Sequence, residues 1–289
     1  MKPLVSICIP TCNGEAYLDQ ALNSAIAQTY RNIEIVISDD ASQDGTLKIV
    51  ESYKQKTNIP IYVYNHEPQG IGANWNNCVK QAKGDYIKFL FQDDILEPAC
   101  IDKMMQLALT NPKIGLVYCK RHFMVEGPKH RYADFINNYK TLHDKWANFM
   151  VTEGVISGRV YLRDPNFLKS PGNKIGEPSA VLLNKTCLEN VGYFSTSLKQ
   201  NLDYLYWYLV MPHFLIGFVD DYLVRFRLHD NQATSINKSQ NINEKQMLYY
   251  EYYKHILLYL SLKNEIKLIK QFNPFIKLLI KIKQKLNGR

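Results

Sequence analysis

The chain has 289 residues, 46% hydrophobic and 12% aromatic, with 35 Lys and Arg against 27 Asp and Glu and a formal net charge of +8. That apolar fraction can bury a sizeable core at this length, which argues against disorder. The charge is localised: residues 1–262 hold 27 basic and 26 acidic side chains and residues 263–289 hold eight and one, so the body lacks the basic face of a nucleic-acid binder and no nucleic-acid partner is expected.

Alternating β-branched runs and helical patterns fill the first 120 residues. Strands are expected over 5–10, 33–38, 61–65, 85–91 and 114–119, which favours a mostly parallel sheet with helices on its faces. Between them, Leu18, Leu22, Ala25 and Ile26 share one helical face, and Trp75, Cys78, Val79 and Ala82 share another. A further helix is expected over 98–111. Residues 120–175 lose the pattern: Gly127-Pro128, Asp164-Pro165 and Ser170-Pro171-Gly172 punctuate loops and short elements. Order returns with a strand over 179–183, helices over 184–191 and 202–211, and an extended pair over 215–228. After Asn264 a basic amphipathic helix follows, broken near Pro274. Phe275, Leu278, Leu279, Ile282 and Leu286 form its stripe, flanked by Lys277, Lys281, Lys283 and Lys285.

Six cysteines (Cys8, Cys12, Cys78, Cys100, Cys119, Cys187) show no C-x-x-C pair or zinc-ligand spacing and read as buried, reduced thiols. No apolar signal region follows Met1, and the stretch 204–219, interrupted by Pro212 and His213, falls short of the roughly 20 residues a membrane span needs. A cytoplasmic protein is the expectation.

In an open α/β sheet, ligands bind beyond the carboxyl ends of the strands. Thr11-Cys12-Asn13-Gly14, Asp39-Asp40-Ala41-Ser42 and Gln92-Asp93-Asp94 sit at three such exits, without a dinucleotide or P-loop glycine pattern. Two adjacent carboxylates at a strand exit repel unless a cation joins them, and Mg²⁺ or Mn²⁺ held with phosphate oxygens is the usual solution.

The segments VSICIPTCNGEAYLDQALNSAIAQTY, IEIVISDDASQDGT, GDYIKFLFQDDILEP and GEPSAVLLNK, with VGYF following, occur in an order and spacing that resembles the family-2 inverting glycosyltransferases, over roughly residues 3–235. The resemblance implies an α/β GT-A fold: a Rossmann-like, mostly parallel sheet with helices on both faces. Residues 1–120 would form its nucleotide-sugar half, 120–235 its acceptor half and 236–289 a helical, basic extension. It implies a nucleoside-diphosphate sugar donor, with uracil or thymine as base, and a surface glycan or lipid-linked oligosaccharide as acceptor. A sugar-nucleotidyltransferase, or an inactive glycan-binding protein at a membrane, are the alternatives.

Residue by residue, the resemblance places Pro10, Thr11, Asn13, Asp39, Asn74 and Asp93 on the nucleotide sugar. Asp40 either shapes this turn or caps the helix beginning near Thr46. Asp93, Asp94 and His229 are the metal candidates; the family commonly has Asp-x-Asp-Asp where this chain has Phe91-Gln92-Asp93-Asp94. Gly70 and Gly72 suit either close approach to a ligand or a tight entry into a helix. Asp203, which keeps the Asp of the family's Glu-Asp pair while Leu202 replaces the Glu, is the expected catalytic base. Inversion is a single displacement needing one such carboxylate. Glu177 and Trp207 are the acceptor-binding candidates, the aromatic run 204–208 serving either sugar stacking or packing. The basic end suits the surface of an anionic membrane at its cytoplasmic face, or docking on the body.

Overall fold

The computed structural model describes residues 2–232 and 242–286, the last two through their backbone. The expected boundary near residue 235 lies outside these residues, as do the side chains of Lys285 and Leu286. In chain order the elements are β1 (Val5–Thr11), α1 (Leu18–Ile26), β2 (Ile33–Asp39), α2 (Thr46–Lys56), β3 (Ile61–Asn65), α3 (Ile71–Gln81), β4 (Tyr86–Phe89), β5 (Ile95–Leu96), α4 (Cys100–Ala108) and β6 (Ile114–Val125). They continue with α5 (Ala133–Tyr139), β7 (Gly154–Ser157), α6 (Gly158–Arg163), β8 (Val181–Asn184), α7 (Thr186–Val191), α8 (Leu202–Val210), β9 (Leu215–Leu228), α9 (Lys245–His255), α10 (Leu262–Phe272) and α11 (Pro274–Leu286).

One sheet runs through the body in the order β3-β2-β1-β4-β8-β6-β9-β5, with β7 on β9. Strands β3, β2, β1 and β4 are parallel neighbours, so their carboxyl ends open on one edge. The second half is mixed, since β8 runs antiparallel to both β4 and β6. The 215–228 segment is one long strand rather than a pair. It follows β6 in parallel, with register shifts around Cys119 and Lys120 that bend both strands. Strands β5 and β7 were not legible: the first has two residues, and the second is a half-exposed edge.

The sheet is covered on both faces. Leu18, Leu22 and Ala25 of α1 join Ile7, Ile9, Ile35 and Ile37 in one core, and Trp75, Cys78 and Val79 of α3 join Cys8, Val36, Ile87 and Phe89 in the other. The odd and even residues of β1 and β2 therefore serve opposite cores, and the buried polar residues Ser6 and Glu34 are hydrogen-bonded to each other. Five of the six cysteines are buried, and Cys12 is exposed, correcting the expectation for that residue.

The basic end divides in two. α10 is docked, with Leu268 buried and the Asn264 side chain donating to the Asp164 carbonyl (3.2 Å). α11 is not covered: Phe275 is 78% exposed, Leu278 57%, Leu279 60% and Ile282 46%. Among the described residues, no helix is long and apolar enough to cross a membrane.

Candidate active site

The parallel register brings Thr11 beside Asp39 at the ends of β1 and β2. Asp39 is buried and its carboxylate is held on three sides: Thr11 Oγ1 (2.7 Å) and Ser42 Oγ (2.7 Å) donate to Oδ1, and the Ser42 amide donates to Oδ2 (2.9 Å). The adjoining loop is braced by Asn13, whose φ is 48° and whose Oδ1 accepts the Gln43 amide (2.8 Å). Pro10, opposite Ser38, ends the buried run. Asp40 neither caps nor turns: it pairs with His66 Nδ1 at 2.9 Å, and Asp44 receives the Thr46 amide at the start of α2.

α3 packs beneath this loop. Gly70, with φ of 96°, bends the chain into the helix, and a side chain at Gly72 would collide with the Ser195 backbone, so helix entry and packing account for both glycines. Asn76 exchanges two 2.9 Å hydrogen bonds with the Phe194 backbone. Asn74 is different. Its Nδ2 donates to the Thr11 carbonyl (3.2 Å), while its buried Oδ1 has no partner. An orphaned acceptor costs free energy unless a ligand or water meets it, which makes Asn74 a candidate contact residue next to Thr11.

The turn after β4 carries Asp93 and Asp94, and antiparallel pairing of β5 with β9 lays it against Arg227 and His229. The two carboxylates have separate environments. Asp93 Oδ2 lies 3.0 Å from His229 Nε2, and Asp93 also faces the central cleft. Asp94 is fully buried: Oδ1 accepts the Arg227 amide (3.1 Å) and Oδ2 has no hydrogen-bond partner. Burial, then the charge of Asp93, holds the Asp94 carboxyl well above the usual range. A side chain with no access to the cleft cannot reach a donor's phosphates, which corrects the expectation that Asp94 contacts the metal. Arg227 locks the turn by donating from Nε to the Asp93 carbonyl (2.8 Å) while also contacting Glu126 and Gln20.

Asp93 and His229 fit a divalent cation. A carboxylate oxygen and an imidazole nitrogen are both ligand types for such a cation, and here they face each other across 3.0 Å. Among the described residues no three His, Cys, Asp or Glu side chains gather as a metal cluster, so a cation held by this pair would complete its shell with phosphate oxygens and water. Phe91, where the family's first Asp would stand, packs on Trp75 with ring centroids 5.0 Å apart and makes that wall aromatic. Gln92 exchanges hydrogen bonds with the Cys12 backbone (2.9 and 3.1 Å), tying the two loops together.

Asp203, in the first turn of α8, lines the same cleft as Asp93 and Glu177. Burial, with the charge of Glu177 adding, raises its pKa to about 7 despite a stabilising Tyr204 backbone hydrogen bond. Asn173 Nδ2 donates to Asp203 Oδ2 (3.1 Å) and to the Gly176 carbonyl (3.1 Å), fixing the carboxylate's orientation. Glu177 forms an ion pair with the buried Arg121 of β6, whose Nη2 donates to Oε1 (3.0 Å) while Nε lies close to Oε2 without a hydrogen bond. Trp207 is fully buried, with its Nε1 donating to the Gly176 carbonyl (3.2 Å). It holds the Glu177 loop and offers no face to a sugar, which corrects its assignment to the acceptor.

Sequence reading missed Arg121, Asn173 and Arg227. Arg121 could have been suspected as a charge continuing an apolar strand. Asn173 makes its contact across 30 residues and leaves no local pattern.

The profile of glycosyl transferase family 2 matches residues 6–167. An uncharacterized glycosyltransferase of Rickettsia typhi is 29% identical over 243 residues, 83% of this chain and 68% of that protein. The structure of S. aureus TarS 1-349 in complex with UDP-GlcNAc superposes with a TM-score of 0.64 at 20% identity, covering 99% of this chain and 78% of that one. Mannosyltransferase PcManGT from Pyrobaculum calidifontis, in complex with GDP-Man and Mn²⁺, gives 0.58 at 17%, over 100% and 81%. These two share the GT-A fold with this protein. A match across more than half the chain, spanning three polar strand exits at one sheet edge, makes it a glycosyltransferase belonging to glycosyl transferase family 2.

Proposed function

We propose that the protein transfers a sugar, with inversion, from a nucleoside-diphosphate donor to a hydroxyl of a surface glycan or lipid-linked oligosaccharide. The observation that carries this reading is the shared cleft, where Asp93 beside His229 lies on the donor side and a single carboxylate of raised pKa, Asp203, on the other. Asp39, Thr11 and Asn74 would receive the base and ribose, with Pro10 and Asn13 shaping the pocket. A free lone pair on Asp39 Oδ2 suits the imide N–H of uracil or thymine. The UDP-GlcNAc bound to TarS supports a uridine donor.

Asp93 and His229 would hold Mg²⁺ or Mn²⁺, which supplies neutralisation of the charge left on the departing diphosphate. The acceptor hydroxyl gives its proton to Asp203 as its oxygen bonds the anomeric carbon, and the bond to phosphate breaks on the opposite face with its electron pair leaving on the diphosphate. A carboxyl with a pKa near 7 is a stronger base than an ordinary one and is about half ionised at neutral pH. Glu177, fixed by Arg121, binds acceptor hydroxyls.

The basic end is read as a peripheral contact with an anionic membrane at its cytoplasmic face. The uncovered stripe of α11 with Lys277, Lys281 and Lys283 suits an interfacial helix, each lysine adding about 1 kcal/mol. Truncation after Asn273 leaves α10 docked; it should abolish sedimentation with phosphatidylglycerol vesicles and spare transfer to a soluble acceptor, and unchanged sedimentation refutes the membrane contact. The enzymatic reading is tested by offering a panel of nucleotide sugars with Mn²⁺. Release of nucleoside diphosphate from one of them is expected, and release of pyrophosphate from a nucleoside triphosphate instead would point to a nucleotidyltransferase.

A further inference from the structure

A second cavity shares Gln200 and Asn201 with the cleft but has other walls: the 167–172 loop, Tyr204 of α8, and α9 with the residues just before it. Its walls are fixed from behind. The buried Lys174 ammonium donates to the carbonyls of Phe167 (3.2 Å), Lys169 (2.7 Å) and Pro171 (2.7 Å), and Tyr249 donates to the Leu168 carbonyl (3.0 Å).

The charges around this cavity are unbalanced. Lys169 and Lys245 line it, and the Nζ atoms of Lys245 and Lys267 lie 5.6 and 5.3 Å from the ring centroid of Tyr249 in its wall. Among the described residues, none of these three lysines has a carboxylate within 4.0 Å. Glu244, the acidic residue of the lining, is turned into the backbone, accepting the amides of Lys199 (2.6 Å) and Gln200 (3.0 Å). The cleft beside it carries three carboxylates, Asp93, Glu177 and Asp203, against one lysine, Lys199, in its wall, with Arg121 paired behind Glu177.

We propose that this cavity binds an anionic group of the acceptor, a phosphate or a carboxylate carried on the unit next to the one bearing the reacting hydroxyl. Resting on the reading of Asp203 as base, the assignment adds an acceptor class. An anion inside the cleft would meet three carboxylates, whereas one unit away it meets ammonium groups whose hydrogen bonds to it are charge-assisted. The tyrosines beside them offer apolar faces to the attached sugar.

The test is ligand-observed NMR on the full chain with inorganic phosphate, glycerol phosphate, methyl glucuronide and neutral methyl glucoside, for the wild type, Lys169→Glu/Lys245→Glu and the milder Lys169→Gln/Lys245→Gln. The anions should bind and the glucoside should not. The charge reversal should weaken anion binding by roughly tenfold or more, the neutral pair by less, with UDP affinity unchanged in both. Whether the phosphates or the glucuronide bind tighter distinguishes a phosphate-bearing from an acidic-sugar acceptor. Equal binding of glucoside and glucuronide, or anion binding unaffected by both double variants, overturns the proposal. So does loss of phosphatidylglycerol vesicle binding in the variants with soluble anions still held, since the lysines would then serve the membrane. Failure of the active-site reading is distinguishable: it appears as absent UDP binding or donor turnover in the wild type, whereas the anion site should persist in Asp203→Asn.

Discussion

At the exits of β1 and β2 the carboxylate of Asp39 is met by Thr11 and by both donors of Ser42, and the surrounding loop is braced by Asn13, Asp44 and Gln92. Across the cleft the ionisable groups are held against their preference. Burial raises Asp203 to about 7 and lowers Lys174 to about 8, and Arg121 is buried with Glu177 as its counter-ion. The first region is a preorganised surface whose polar groups are held in place, with Asn74 Oδ1 left without a partner, and it is suited to binding. The second keeps electrostatic cost around one carboxylate, suited to moving a proton, and active sites commonly trade stability for such perturbation.

That contrast can be broken from either side. The largest effect is expected at Asp203: Asp203→Asn should lower transfer by about 10²–10⁴-fold with UDP affinity unchanged, measured by product formation and calorimetry. Next is the ion pair. Arg121→Met leaves the Glu177 charge uncompensated and should cost about 3 kcal/mol or more in urea unfolding, with Arg121→Met/Glu177→Gln recovering most of it.

Removing the strained charge should have the opposite sign. The folded pKa of Asp203, about 7, lies above its unfolded value of about 3.9, so its stability contribution is complete below that lower value and lost as pH rises toward 7. Asp203→Asn should therefore stabilise the protein by about 2–4 kcal/mol at pH 8 and not at pH 3, read from unfolding curves at both values. On the donor side, Asp93→Ala and His229→Ala should each raise the Mn²⁺ concentration for half-activation by about tenfold or more, and Asp94→Asn, which keeps an acceptor for the Arg227 amide, should leave it nearly unchanged.

The two regions also differed in legibility. β1 to β4 and their exits are local features: each strand is a short apolar run, each polar cluster follows it directly, and parallel pairing brings the clusters to one edge. Asp203 was singled out by family resemblance and Glu177 by its place before a strand, and both line the cleft, whereas the residues that hold them were missed. Arg121, Asn173 and Arg227 act through contacts 30 to 207 residues away along the chain. Trp207 and Asp94 were misassigned for a related reason: a sequence shows that a ring or carboxylate is near the site, but burial depends on how β8, β9 and α8 close over it. At the basic end, docking on the body holds for α10 through Leu268, whereas the stripe of α11 stays uncovered and its membrane contact is a proposal.

The most direct measurement is the pH dependence of kcat/KM for sugar transfer in the wild type and in Asp203→Asn. A wild-type acid limb with a midpoint near pH 7, falling tenfold per unit below it and absent from the residual activity of the variant, is the predicted result. An acid limb near pH 4, or one that persists unchanged in Asp203→Asn, contradicts the assignment of Asp203 as the base.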